Sequence, residues 1–369
     1  MKKLLIENMK CFSEKSNVSL SNITINVGMN SVGKSTVTQA ILLLRQTYDE
    51  MEKYRGTEKK DFRVLLNGRY GMQLGDAEQI ISSGKDSIFI EGDGIGFQFK
   101  KNEEDRFSLN VYPDGNAMVL SNQQSLFSPY FYYLNAERQG PRNYQDIGYD
   151  SGKLCGYFGE QTFNVIELNA GAILDKKRMR HGEQFSVVTF SKQLEYWMDF
   201  IVPGIELRTS EDVDTKTAKL KVRQTGLDTE FNSPHNFGFG ISYVMPIIVT
   251  GLLADTNSMV VVENPEAHLH PSGQSQIGQF LAQVASSGVQ VIIETHSEHV
   301  INGIRIYALA NKIPPEQICI NYFTIDEKKP TVEHITLNDR FDIMKWPEGF
   351  FDQEEKDLQT LRSLRKGLS

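Results

Sequence analysis

The sequence predicts an α/β fold with a mixed central sheet, an antiparallel β lobe and an inserted arm. Three observations carry that expectation. A strand, a glycine-bounded loop and a helix follow one another around Gly28–Ser35. Helices and strands alternate from Ile241 to Phe323. Between these regions, apolar and polar residues alternate with period two from Ser87 to about Leu120.

Taken in order, Lys3–Ile6 and Ile23–Val27 are short apolar runs that read as strands. From Lys34 the pattern turns helical, with Val37, Ala40, Ile41 and Leu44 on one face. SIFIEGDGIGFQFK and RFSLNVYPDGNAMVL read as an antiparallel meander with an Asp-Gly turn cue, the β lobe being bounded at 84–125. Residues 146–235 are less regular: a glycine-rich stretch, a basic run, and a helix ending in KQLEYWMDFIVP. They read as an inserted arm or lobe. In 236–340, Ile241–Leu253, Gln274–Ala285 and His299–Ala310 read as helices, and Met259–Val262, Val289–Ile293 and Ile318–Phe323 as strands. That alternation implies right-handed βαβ units and parallel pairing. The tail, 341–369, is aromatic and acidic, and its pattern assigns it no role.

Composition narrows the function. The chain has 369 residues, 40% hydrophobic and 23% charged, with a formal net charge of -8. An acidic balance argues against a surface that binds nucleic acid all over, though not against a local basic patch. Cys11, Cys155 and Cys319 form no CxxC pair, so neither a disulfide framework nor a zinc site is expected. The N-terminal apolar run is interrupted at Glu7 and Asn8, and the longest apolar stretch elsewhere, about Val244 to Ala254, is short of the roughly 20 residues that cross a bilayer. A cytoplasmic protein with no membrane partner is expected.

Gly28-Met29-Asn30-Ser31-Val32-Gly33-Lys34-Ser35 fits GxxxxGK(S/T) in full, between a predicted strand and a predicted helix. Glycines let the backbone wrap so that successive N–H groups point at phosphate oxygens. The following helix N-terminus adds partial positive charge. Lys34 reaches the β- and γ-phosphates, and the Ser35 hydroxyl ligates Mg²⁺. Asn30, Ser31, Val32, Gly33 and Thr36 complete the expected cradle for ATP. An isolated match can be an ordinary glycine turn, but a second motif lies downstream. In Met259-Val260-Val261-Val262-Glu263-Asn264-Pro265-Glu266 an apolar strand ends in an acid, the arrangement that holds the Mg²⁺ shell in P-loop NTPases.

GMNSVGKST, ENPEAHLHP and IIETHSEH together resemble the ATPase head of the ABC class, in its RecF/SMC-like and OLD-like branch. The resemblance runs from Lys2 to about Phe323, and WPEGFF at Trp346–Phe351 resembles the end of compact bacterial ATPases of this kind. It implies one P-loop NTPase ABC-type head over 1–369. Glu263 takes the Mg²⁺-supporting position, one methylene longer than the usual Asp. Asn264 stands where the catalytic Glu would polarise water, and Glu266 is the nearest alternative acid. His296 matches the switch histidine that senses the γ-phosphate. Asn236–Ser242, with Gly238, Gly240 and Ser242, resembles a degenerate signature motif that would cap the ATP of a partner subunit. Gln139 and Gln73 are both candidates for the Gln-containing loop. An amide orients water but takes no proton. Hydrolysis slowed by roughly 10²–10⁴-fold is therefore expected.

The resemblance further implies an ATP-dependent homodimer or higher even-numbered oligomer that scaffolds or regulates a separately encoded effector, such as a nuclease or toxin, in bacterial antiphage defence. The alternative is a DNA-repair ATPase acting on nucleic acid through Lys176–His181, the most basic run in the chain. Arg138 and Arg142 are candidates for nucleotide or dimer contacts, and Tyr130–Tyr133 for core. His268, His270, His296 and His299 have a zinc-like spacing, but the HLHP tail and the switch role account for them better. The resemblance implies ATP over GTP, and no guanine-reading motif such as NKxD is evident.

Overall fold

The computed structural model describes residues 1–55, 62–115, 125–148, 152–226, 230–327 and 329–366. In chain order the first elements are β1 (Lys3–Glu7), β2 (Ser16–Ser19), β3 (Ile23–Gly28), α1 (Lys34–Lys53), β4 (Phe62–Leu65), α2 (Ala77–Ile80), β5 (Ser87–Gly92), β6 (Ile95–Lys101) and β7 (Ser108–Pro113). Then come β8 (Phe131–Leu134), β9 (Tyr144–Asp146), α3 (Thr162–Asn169), α4 (Phe190–Ile201), β10 (Ile205–Asp212) and β11 (Thr217–Gln224). The last part holds α5 (Phe239–Leu253), β12 (Met259–Glu263), α6 (Pro271–Ser286), β13 (Gln290–Glu294), α7 (Glu298–Ala310), β14 (Ile318–Asp326), β15 (Lys329–Ile335) and α8 (Gln353–Lys366).

The central sheet has the order β15-β14-β3-β13-β12-β8, in which only β15 runs antiparallel. It is the mixed sheet that the sequence predicts. The reason lies in the MVVV run. Met259 and Val261 enter one buried cluster together with Val37 and Ile41 of α1, whereas Val260 and Val262 enter the other together with Ile277 and Ile301 of α6 and α7. A strand covered on both faces has no polar side to alternate, so it reads as a continuous apolar run.

The β lobe is a second sheet, β2-β1-β5-β6-β7-β4, lying across α1 from the central one. Its β5–β6 hairpin turns on Asp93 (φ 48°) and Gly94 (φ 83°), the double left-handed pair of a type I′ turn. The further strand expected after Asp114–Gly115 falls at 116–120, outside the described residues.

Residues 146–235 form α3, α4, β10 and β11. Their Phe163, Phe190, Trp197 and Leu220 are buried in the same cluster as Val260 and Ile293. The segment is therefore a lobe of the main core and not an arm projecting from it. Among the described residues no helix is long and apolar enough to cross a membrane.

Candidate functional site

The loop Gly28–Gly33 joins β3 to α1 and has the backbone that its glycines permit. Gly28 has φ +145°, and a Cβ there would sit 2.2 Å from the Phe323 carbonyl oxygen. Gly33 has φ +111°, and a Cβ would meet the Phe12 ring at 2.8 Å and Cys11 Sγ at 3.0 Å. Ser31 is also left-handed, at φ 62°. Val32 is buried and pins the loop to the core, while Asn30, Ser31 and Ser35 remain exposed and Thr36 is buried. Helix α1 begins with no side-chain cap and no acid in its first turn, so its leading N–H groups suit an anion.

Lys34 is 4% exposed, and its Nζ donates to the Gly28 carbonyl at 2.9 Å and to the Met29 carbonyl. One of its three N–H donors is left for a phosphate. Burial pulls its pKa down, and Glu294 opposes this. A 240 Å³ cavity is lined by Lys10, Cys11, Ser31, Gly33, Lys34, Ser35 and Thr36. Ser35 also lines a second cavity of 290 Å³, together with Gln73, Tyr133, Asn135 and Glu263. The two cavities thus meet at the hydroxyl expected to hold the cation. A larger cavity, 630 Å³, lies beyond Tyr133, but it holds no acid.

Glu263 ends β12 and lines the Ser35 cavity. Its Oε1 accepts from the Tyr133 hydroxyl at 2.9 Å. Its pKa is pushed up to about 7, first by burial and then by the charge of Glu294. Glu294 lies directly opposite it in parallel register at the end of β13. The Ser35 hydroxyl donates to Glu294 Oε1 at 2.7 Å. Hydroxyl and carboxylate oxygens on a buried, doubly acidic floor are the donor set that Mg²⁺ takes. The residues present fit the cation that the loop implies.

Asn264 has φ 45°, a conformation in which Asn is enriched among non-glycine residues. Its N–H donates to the Glu294 carbonyl at 2.8 Å, and its Oδ1 is buried without a protein partner. Glu266, the nearest alternative acid, has both oxygens in hydrogen bonds. Its Oε2 accepts from the Thr295 hydroxyl and its Oε1 from the His296 N–H, both at 2.7 Å. It fixes the turn that carries His296. The His296 imidazole lies at the surface, held toward its neutral form by burial and by the Lys34 charge.

The signature segment differs in detail from expectation. Helix α5 starts at Phe239, so Gly240 and Ser242 sit in its first turn, and only Asn236–Gly238 precede it. Gly240 answers a packing need, since a Cβ there would come 2.8 Å from the His268 carbonyl oxygen. The helix N-terminus at Gly238 carries no side-chain cap, and Ser242 Oγ is buried without a protein partner.

Three further expectations are corrected. Arg138 does not face a nucleotide or a partner. It is 2% exposed and donates to the main-chain carbonyls of Asn135 (2.7 Å), Tyr243 (2.9 Å), Glu263 (2.6 Å) and Asn264 (2.7 Å). Arg142 is exposed. In Lys176–His181, Arg178 is buried and caps α5 through the Leu252 and Ala254 carbonyls, and Arg180 lies over the Phe185 and Phe200 rings. Tyr130 is 53% exposed, whereas Phe131, Tyr132 and Tyr133 are core.

His270 caps α6 through Nδ1, and His268 packs on Tyr243 at 4.5 Å. No cluster of three metal-ligating side chains occurs among the described residues. Of the two glutamines, Gln73 lines the Ser35 and Glu263 cavity, whereas Gln139 is not among its lining residues and donates its main-chain N–H to the carbonyl of Phe158, which is. Sequence reasoning missed Lys10, Tyr133 and Glu294. The acid in IIETHS was the available signal for the last.

A family model described as "AAA ATPase domain" matches residues 204–301, and one described as "Protein of unknown function (DUF3696)" matches 313–361. The energy-coupling factor transporter ATP-binding protein EcfA2 of Ureaplasma parvum serovar 3 is 26% identical over 152 residues, 38% of this chain and 35% of that protein. The Old nuclease of Escherichia phage P2 is 35% identical over 57 residues, 14% of this chain and 10% of that one. The matches thus span about a third or less of these relatives' own lengths. Among solved structures, an SMC head bound to the C-terminal winged-helix domain of ScpA covers 91% of this chain and 98% of its own, with TM-score 0.54 and 11% identity. A second SMC head with an extended coiled coil, bound to a ScpA domain derived from Pyrococcus furiosus, covers 99% of each with TM-score 0.51 and 12% identity. The chain thus has an SMC-head-like α/β fold, with a glycine loop at the end of β3, an acid at the end of β12 and an ATPase-domain match over 204–301.

Proposed function

We propose that this head binds Mg-ATP, dimerises around it, hydrolyses it slowly, and uses the clamped form to scaffold or regulate a separately encoded effector, with bacterial antiphage defence as the setting. The observation that carries this reading is Asn264. It occupies the residue after the strand-end acid, and it offers an amide where a proton acceptor would speed hydrolysis.

The geometry supports a set of binding roles. The loop N–H groups from Asn30 to Thr36 and the free donor of Lys34 take the phosphates. Ser35 and Glu263 would hold Mg²⁺, which would neutralise charge developing on the phosphates. Asn264 orients the attacking water, and His296, held by Glu266, meets the γ-phosphate. Gln73 reaches the same cavity. The uncapped N-terminus at Gly238, with Gly240 and Ser242, supports a second-copy contact to ATP. The DNA-repair alternative has less support, because Arg178 and Arg180 are engaged inside the fold and leave Lys176, Lys177 and His181 at the surface.

The test is light scattering of the purified chain with ATP and Mg²⁺, with ADP, and without nucleotide. A dimer confined to the ATP condition supports the clamp. A monomer in all three counts against it.

A further inference from the structure

The acid that touches the P-loop hydroxyl is not the one at the expected position. Strand β13 lies between β3 and β12, so Glu294 is one strand from the P-loop strand and Glu263 is two. The Ser35 hydroxyl donates to Glu294 Oε1 at 2.7 Å, and the Thr38 hydroxyl approaches Oε2 at 3.4 Å. Glu263 is turned to the Tyr133 hydroxyl instead, at 2.9 Å. Glu294 is 6% exposed and ends a fully buried strand, so its side chain has little room to leave.

A serine hydroxyl has one hydrogen and two lone pairs. To ligate a cation it must present a lone pair and send its hydrogen to an acceptor elsewhere. In P-loop NTPases Mg²⁺ is held by the loop hydroxyl and the strand-end acid. Here the acceptor for that hydrogen comes from the neighbouring strand.

We propose that Glu294 is a positioning acid of the cation site: it accepts the Ser35 hydrogen, turns the hydroxyl lone pairs toward Mg²⁺, and with Glu263 makes the floor of the site a pair of carboxylates from adjacent strands. The inference rests on the Mg-ATP reading of the loop. Groups that orient a metal ligand from behind typically change metal affinity about 10–100-fold when removed.

The experiment titrates Mn²⁺ into the ATP-bound full chain and reads free Mn²⁺ by its electron paramagnetic resonance signal. ATP binding in EDTA is measured in parallel by fluorescence of a labelled nucleotide. E294A removes the acceptor and is expected to weaken Mn²⁺ binding about 10–100-fold while leaving ATP binding in EDTA within about twofold. Because the effect runs through Ser35, S35A with E294A should lose no more than S35A alone. Mn²⁺ binding by E294A as tight as in the parent overturns the proposal, as does full additivity with S35A. Should E294A fail to fold, E294D takes its place, with the same weakening expected because its carboxylate stops one methylene short; parent-like binding overturns the proposal there too. A parent chain that binds no ATP in EDTA would instead sink the phosphate assignment itself.

Discussion

Glu266 Oε1 accepts the main-chain N–H of His296 at 2.7 Å, so the carboxylate two residues past Asn264 sets the position of that histidine's backbone. Its other oxygen holds the Thr295 hydroxyl. E266A frees both groups. It should lower ATP turnover about tenfold or more while nucleotide affinity changes little, because a misplaced group costs the transition state more than the ground state. Steady-state kinetics separates kcat from KM. A rise in KM alone would place Glu266 in binding.

K34A removes the charged donor of the phosphate cradle. A hydrogen bond to a charged group is worth about 1.5–3 kcal/mol, so ATP affinity should fall about 10–150-fold. Fluorescent-nucleotide titration checks it. Binding that survives unchanged would rule out the P-loop at Gly28–Ser35.

Asn264 combines a chemical and a conformational role. N264E supplies a proton acceptor and should raise hydrolysis, by about tenfold or more. At φ 45° a glutamate is less at home than asparagine, so the variant should also lose about 1 kcal/mol of stability. Phosphate release and chemical denaturation read the two effects independently. No gain in rate would remove Asn264 from the chemistry.

Arg138 gathers four main-chain carbonyls, two of them from Glu263 and Asn264. R138M keeps much of the bulk and leaves those acceptors without a charged donor. It should destabilise the fold by about 2–4 kcal/mol, measured by denaturant midpoint. A variant that unfolds like the parent but loses ATP affinity would return Arg138 to the nucleotide.

The Glu263 carboxyl, raised from 4.5 to about 7, has a defined sign. The folded protein holds this proton where the unfolded chain has lost it. Stability of the metal-free chain should therefore fall as pH rises through that window, by on the order of 2–3 kcal/mol at most. Melting in EDTA at pH 5 and pH 8 tests it, and E263Q should lack this component. Identical pH slopes for parent and variant would contradict it.

The sequence carried the parts of this site whose logic is local. The glycines of the loop, the apolar run ending at Glu263 and the helices from α5 to α7 each follow from residue spacing over a few turns. What it did not carry depends on strand order. Ser35 and Glu294 are 259 residues apart and meet only because β13 inserts beside β3. Arg138 looked like a functional cation because its charge is visible in sequence and its four carbonyl partners are not. The 146–235 segment read as an inserted arm or lobe because its pattern is irregular, and the burial of Phe190 and Trp197 in the main core is not visible in that pattern.

The central claim is a slow, ATP-held clamp, and the most direct test is the turnover of the purified chain alone at saturating Mg-ATP. The account predicts a rate well below about 1 s⁻¹, the low end of the usual enzyme range, with ATP and not ADP retained on the protein. A rate at or above about 1 s⁻¹ without any partner would contradict it.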